Sequence, residues 1–233
     1  IRLALMTFSL SLAIFMNVLD VSIANVAIPT LAGNLAVSSD EGTWVITSFA
    51  VSQAIMLPIS GWLARRFGEV RLFILSTALF TLASIFCGLS TSLPMLIFFR
   101  VVQGAVSGPM IPLSQSILLA NYPEHRKSFA MGIWATTAVA APIIGPVLGG
   151  WLTDNYSWPW IFYINVPVGI LAVIFTAITL KGRETIITKL PIDVIGLSLL
   201  VIGIGCLQVL LDKGNDLDWF HSQTILTLGI IAA

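Results

Sequence analysis

Two ionisable side chains stand where ionisable side chains are rare. Asp20 lies inside an apolar run from about Leu3 to Pro29, and Arg100 inside another from about Met95 to Leu119. A charge held at mid-membrane costs roughly 2.5–3.5 kcal/mol, so such a residue normally faces a cavity or a partner. At about 1.5 Å of rise per residue, Asp20 is nine residues from the outer end of its run at Pro29, and Arg100 is five from the start of its own at Met95. Both therefore fall in the same half of the membrane, close enough to meet or to line one water-filled space. A carboxyl group that meets a guanidinium in one conformation and loses it in another binds its proton in only one of them. That difference couples proton movement to the movement of another solute. The other reading is a buried ion pair that only fixes helix packing. Gln103, Gly104 and Ser107 follow Arg100 at spacings of three, four and seven and so share its helix face. Together with Asn25 on the first run, Gln103 and Ser107 are candidates to line a substrate cavity. For Asn25 and Gln103, hydrogen bonding between helices is the alternative.

Other chemistries have no residues to carry them. His125 and His221 fall in loops, which leaves no intramembrane pair for a metal or haem. Cys87 and Cys206 each sit in an apolar run and read as small hydrophobes without a disulfide. The sequence has no G-x-x-x-x-G-K-[ST] phosphate loop and no nucleophile and base at a shared depth. Neither ATP hydrolysis nor other enzymatic activity is expected, and no cofactor or metal is called for. A net charge of zero makes nucleic acid an improbable partner.

The elements that hold Asp20 and Arg100 follow from composition. Hydrophobic residues make up 57% of the chain and charged ones 9%, against the roughly 25% charged of soluble domains. Apolar runs at about 3–29, 43–64, 72–89, 95–119, 129–152, 161–180 and 194–211 are each about as long as a spanning helix. An eighth begins near Gln223 and is too short to span before the sequence stops at Ala233, which reads as a truncated chain. The fold class is all-α and polytopic. Loops on one side hold Arg2, Arg65, Arg66, Arg71, Arg126, Lys127, Lys181, Arg183 and Lys189, whereas those on the other hold only Lys213. By the positive-inside rule the N-terminus is cytoplasmic and the Lys213 loop is external. Trp44, Trp151, Trp158, Trp160 and Trp219 then gather at the outer interface.

The fifth run carries A138-V-A-A-P-I-I-G-P-V-L-G-G-W151. Pro142 and Pro146, four residues apart, sit beside Gly145, Gly149 and Gly150, a density of helix breakers that a membrane tolerates and water does not. Glycines spaced by four admit a neighbouring backbone, and prolines remove backbone hydrogen bonds and bend the helix. A bent, tightly packed helix is expected, with a partner in a second half of the molecule. A shift of 89 residues lays S60-G-W-L-A-R-R-F67 over G149-G-W-L-T-D-N-Y156. These are helix ends on opposite sides of the membrane, the mark of an inverted repeat of three helices plus three.

These stretches resemble known motifs. A141-P-I-I-G-P-V-L-G-G150 is similar to the antiporter motif GxxxGPxxGG of proton-coupled exporters in the major facilitator superfamily. L19-D-V-S-I-A-N-V-A-I-P29 resembles LDxTIVNVALP of its fourteen-helix drug:proton antiporters, and R100-V-V-Q-G104 resembles RxxQG, whose arginine is implicated in proton transfer. S157-W-P-W-I-F-Y-I-N-V-P-V-G169 is similar to WRWIFYINVPIG. G61-W-L-A-R-R-F-G-E-V-R71 resembles the gating loop GxLaDrxGrkxxl at Gly61, Leu63, Arg66 and Gly68, with Arg71 nearby. Arg65 replaces the motif's aspartate, so contacts made through that aspartate do not carry over, and Glu69 or Glu124 is the candidate to take part of its role. Nearly the whole chain is covered by the resemblance to the EmrB/QacA-like fourteen-helix drug:proton antiporter family, and within it to the EmrB type.

That resemblance implies the N-terminal six-helix half of a major facilitator fold over residues 1–180, a cytoplasmic linker over 181–191, and the start of two extra inter-half helices over 192–233. It implies alternating-access efflux of amphipathic, largely hydrophobic drug-like compounds in exchange for protons across a bacterial inner membrane. The proton gradient would be the energy source, Asp20 and Arg100 the coupling pair, and a periplasmic adaptor and outer-membrane channel the partners beyond the lipid bilayer. A symporter or facilitator for a siderophore or metabolite is a second reading. A non-transporting membrane scaffold is a third, against which two intramembrane charges argue.

Overall fold

The computed structural model describes residues 2–185, 187 and 193–232, with the side chain of Phe220 left aside. Lys189 and Pro191, at the expected end of the linker, lie outside the described residues. The described residues form helices and connections: α1 (Arg2–Asn34), α2 (Ser39–Gly42), α3 (Trp44–Phe67), α4 (Glu69–Gly88), α5 (Leu93–Ser107), α6 (Met110–Asn121), α7 (Lys127–Asn155), α8 (Trp160–Tyr163), α9 (Asn165–Thr179), α10 (Val194–Lys213) and α11 (Gln223–Ala232). Seven of the resulting stretches are long and apolar enough to cross a membrane, with α5–α6 and α8–α9 each counting as one and α11 falling short.

The observed helices are those expected, with two differences that matter for the site. The first helix does not stop at Pro29 but continues to Asn34. A proline within a helix removes one backbone hydrogen bond, and neighbouring helices make that tolerable in a membrane. Asp20 is therefore fourteen residues from the helix end and lies deeper than the expected helix end implies. The fourth span is not one helix. Its hydrogen bonding breaks at Gly108–Pro109, where proline offers no N–H, although both residues keep right-handed helical dihedrals.

The glycines nearest that break are where the backbones come closest. A Cβ on Gly104 would collide with Ser52 Oγ and the carbonyl of Phe49, and one on Gly108 would lie 2.7 Å from Met56 Cβ. Gly104 and Gly108 are four residues apart, the small-xxx-small spacing that lets two membrane helices touch through their backbones. This seats α5 on α3 and carries Arg100, one turn before Gly104, into the interior.

The expectation for α7 needs a correction. Its glycine partner is α1, not a helix of a second half: a Cβ on Gly145 would strike Ser22, and one on Gly149 would sit 3.2 Å from the carbonyl of Ile23. Ser22 Oγ also donates to the carbonyl of Pro142 at 3.4 Å. Pro142 and Pro146 do not share this face. Ala141, Gly145 and Gly149 are buried, whereas Pro142, Ile143, Pro146 and Val147 are exposed, and a side chain at Gly150 would meet nothing within 4 Å. In α-helical geometry residue i+1 is turned about 100° from i, so the prolines and Gly150 lie beside the packed stripe and not on it.

One end of the bundle carries Arg65, Arg66, Arg71, Arg126, Lys127, Lys181 and Arg183. The other carries Trp44, Trp151, Trp158, Trp160 and Trp219. At the aromatic end, α10 docks on α3. Lys213 donates to Thr43 Oγ1, pairs with Asp216 at 3.0 Å and lies 5.4 Å from the centre of the Trp44 ring, while Thr47 donates to Asp212. Elsewhere α10 presents Ile195, Leu199, Ile202 and Leu207 outward, as a lipid-facing helix would.

Candidate functional site

Asp20 and Arg100 meet. Arg100 Nη1 donates to Asp20 Oδ2 at 2.5 Å, and both side chains are fully buried. Helix α5 brings the guanidinium to α1 because Gly104 lets α5 sink against α3, which also lets Arg100 Nε donate to the carbonyl of Val45 at 3.0 Å. The ring of Phe49 on α3 lies 4.3 Å from the guanidinium carbon and that of Phe162 on α8 at 5.6 Å. Aromatic faces stabilise a desolvated cation where water cannot.

Three neutral polar side chains complete the centre. Gln103 accepts from Arg100 Nη1 at 2.8 Å through Oε1, and its Nε2 donates to Ser84 Oγ at 2.7 Å and to Asp20 Oδ1 at 3.3 Å. Asn165 Nδ2 donates to Asp20 Oδ1 at 2.6 Å and to Ser84 Oγ at 3.3 Å. The carboxylate thus accepts from a guanidinium and two amides drawn from α5 and α9, while α3 and α4 supply the carbonyl, the ring and the hydroxyl around them. Five of the first six spans contribute, and α7 does not. Two buried polar atoms in this cluster have no partner: Arg100 Nη2 and Asn165 Oδ1. Nearby, Gln53 Nε2 donates to Asn17 Oδ1 at 3.4 Å, a second polar link between α1 and α3.

The other expected residues distribute themselves differently. Gln103 is in the cluster, fully buried, as an interhelical hydrogen-bonding residue. Ser107 is also fully buried, its hydroxyl donating to the carbonyl of Gly104 at 2.8 Å. Asn25 is not brought to Asp20. It is exposed and lines a polar cavity of about 230 Å³ with Thr43, Thr47, Asp212, Lys213 and Asp216 at the aromatic end. Among the described residues no group of three His, Cys, Asp or Glu is placed to hold a metal.

Of the gating-loop residues, Gly61 is exposed with open space at its Cβ, Arg65 is exposed, and Arg66 lies 5.6 Å from the centre of the Trp62 ring. Gly68 has φ +90°, a conformation that favours glycine. Beyond it the N-terminus of α4 is capped from far along the chain: Glu184 accepts from the N–H groups of Val70 and Arg71 at 3.0 Å each, and Thr185 Oγ1 accepts from that of Glu69 at 3.1 Å. Arg71 Nε is 3.7 Å from the same Glu184 carboxylate. Glu69 accepts from Ser116 Oγ at 3.0 Å, tying α4 to α6, whereas Glu124 pairs only locally with Lys127 at 2.7 Å. Glu184 gave no signal in the sequence, because nothing in its local pattern points 116 residues back to Gly68.

A helical bundle of membrane-length segments closed around a buried carboxylate–guanidinium pair defines a polytopic membrane protein. Residues 10–191 match the family model of the Major Facilitator Superfamily, and the chain belongs to that superfamily. It is 59% identical over 231 residues to the multidrug export protein EmrB of Escherichia coli (strain K12), covering 99% of this chain and 45% of that protein. It is 52% identical over 230 residues to the fatty acid resistance protein FarB of Neisseria gonorrhoeae, with coverage of 99% and 45%. The chain thus spans about half the length of the curated relatives it matches. The fold is also similar to the in meso crystal structure of the POT family transporter PepTSo, at a TM-score of 0.72 and 15% identity over 99% of this chain and 51% of that one.

Proposed function

We propose that this protein is a proton-coupled exporter that moves amphipathic, largely hydrophobic compounds out of a bacterial cell by alternating access. The observation that carries the reading is the Asp20 carboxylate, fully buried and held at 2.5 Å by Arg100. A buried ion pair is weak evidence of a purely structural role, since apolar side chains of similar volume often stabilise as well or better. A carboxylate whose partner belongs to another helix is a natural proton site for a cycle in which those helices move. The similarity to the multidrug export protein EmrB supports the export of multiple drug-like compounds, and that to the fatty acid resistance protein FarB supports amphipathic ones.

The proposal extends to architecture and setting. Residues 1–180 form the six-helix N-terminal bundle, 181–191 a cytoplasmic linker, and 192–233 the start of two extra helices. The protein sits in the inner membrane with the basic end cytoplasmic, driven by the proton gradient without a bound cofactor. Transfer of substrate to a periplasmic adaptor and an outer-membrane channel is implied by the motif resemblance alone. An impermeant thiol reagent applied to intact cells should label a cysteine placed at Ser39 and not one placed at Lys181; the reverse pattern would invert the topology.

The coupling test is substrate-induced proton release from purified full-length protein at several pH values. The parent should release protons and Asp20→Asn should not. Equal release from both would make Asp20 a packing residue.

A further inference from the structure

We propose that Asn165 is the residue that lets Asp20 change protonation state without leaving the membrane interior, by offering its amide N–H to the carboxylate and its amide oxygen to the protonated acid. The inference rests on the proton-coupling reading of Asp20 and adds a residue to it.

Asn165 is 1% exposed, and its Nδ2 makes a 2.6 Å hydrogen bond to Asp20 Oδ1. Its Oδ1 is buried with no partner. An uncompensated buried amide oxygen is costly, and such an atom calls for an explanation in the working cycle of the protein. The missing partner has to be a donor. In the ionised centre the partnered donors near Asp20 point at other oxygens, Arg100 Nη1 at Asp20 Oδ2 and Gln103 Oε1, and Gln103 Nε2 at Asp20 Oδ1 and Ser84; Arg100 Nη2, the donor left without a partner, makes no hydrogen bond to Asn165 Oδ1.

When a proton reaches Asp20, the side chain becomes a donor and needs an acceptor. Arg100 has none to offer, being donor-only, and Gln103 Oε1 already accepts from Arg100 Nη1 and from Cys87 Sγ. Asn165 Oδ1 is uncommitted. Rotation of the amide by about half a turn about its last bond exchanges Nδ2 for Oδ1 in front of Asp20, a motion the broad torsion of an asparagine side chain permits. The protonated acid then donates to Oδ1. The Nδ2 released from Asp20 turns to the side that Oδ1 occupied.

Location gives the exchange a consequence. Asn165 is the first residue of α9, immediately after the turn at Ile164 that separates α9 from α8, and Phe162 on α8 packs over the Arg100 guanidinium. A change in the amide therefore acts where the sixth span meets the ion pair. Protonation weakens the hold of Asp20 on Arg100 and at the same time reverses the direction of the α1–α9 hydrogen bond. Asn165 is thus a positioning residue that acts through Asp20.

The test uses full-length protein in proteoliposomes and compares the parent with Asn165→Leu, Asn165→Ala and Asn165→Gln. The two variants without an amide should lose at least ten-fold more in substrate-induced proton release and in uphill efflux than in downhill substrate equilibration. Asn165→Gln, which keeps both ends of the amide, should retain release. Infrared difference spectra between acid and alkaline pH should show a protonated-carboxyl band in the parent that is absent in Asp20→Asn and shifted in frequency in Asn165→Leu. A parent that releases no protons overturns the antiport reading itself. A parent that does so alongside an amide-less variant with the same release and the same pH profile overturns only the role of Asn165. Downhill and uphill transport falling together would make it a structural residue and overturn the proposal too. If neither amide-less variant folds, Asn165→Gln decides alone: loss of release from that variant overturns the role.

Discussion

Arg100 on α5 places Nη1 2.5 Å from Asp20 Oδ2 on α1, with neither side chain exposed. Removing one partner of such a pair leaves a buried charge without compensation, at a cost of about 3–5 kcal/mol. Arg100→Ala should therefore lower the thermal stability of detergent-solubilised protein sharply, whereas the double variant Asp20→Asn/Arg100→Gln should recover much of the loss. A single variant as stable as the parent would mean that the pair is not formed.

The α1–α7 contact predicts a position-specific effect within a run of glycines. Gly149→Leu and Gly145→Leu drive side chains into Ile23 and Ser22 and should impair transport in cells that still insert the protein. Gly150→Leu meets open space and should be tolerated. Equal behaviour of Gly149 and Gly150 variants in a drug-resistance assay would remove α1 as the partner.

The α3–α5 contact makes the same kind of forecast through a single methyl group. Gly104→Ala collides with backbone, and overpacking of a tight contact costs about 1–3 kcal/mol. Gly132→Ala, with nothing within 4 Å, should be neutral or stabilise by up to about 1 kcal/mol through helix propensity. Thermal unfolding of the two purified variants separates them; a stable Gly104→Ala protein would refute the close approach.

At the basic end, Glu184→Ala should free the segment after α9 from the start of α4. Loss of a helix cap of this kind costs about 0.5–2 kcal/mol. The readout is limited proteolysis of the 181–185 segment, which should quicken several-fold; an unchanged cleavage rate would show that the cap does not hold this segment.

Much of this was legible in the sequence because the bilayer imposes a simple rule: an apolar run long enough to span becomes a helix, and a charge within it needs a partner. Asp20 and Arg100 were visible for that reason. Asn165 was not assigned a role, because an asparagine at the head of an apolar run has the same pattern whether it caps a helix, bonds to a neighbour or serves a carboxylate. The break at Gly108–Pro109 was hidden by the unbroken hydropathy around it. Small residues on α7 announced a close neighbour without naming it, since a glycine records the absence of a side chain and not the identity of what fills the space. Helix α1 takes that place because the same helix that carries Asp20 presents Ser22 and Ile23 to α7.

Gly68 and Glu184 share one volume: a Cβ at Gly68 would overlap the Glu184 carboxyl group. The two positions should therefore be tied in descent as well as in space. In homologues where residue 68 gains a side chain, the acid at 184 loses its seat and is free to drift. Across the superfamily an acid at 184 should therefore be found with a glycine at 68 and lost where that glycine is replaced.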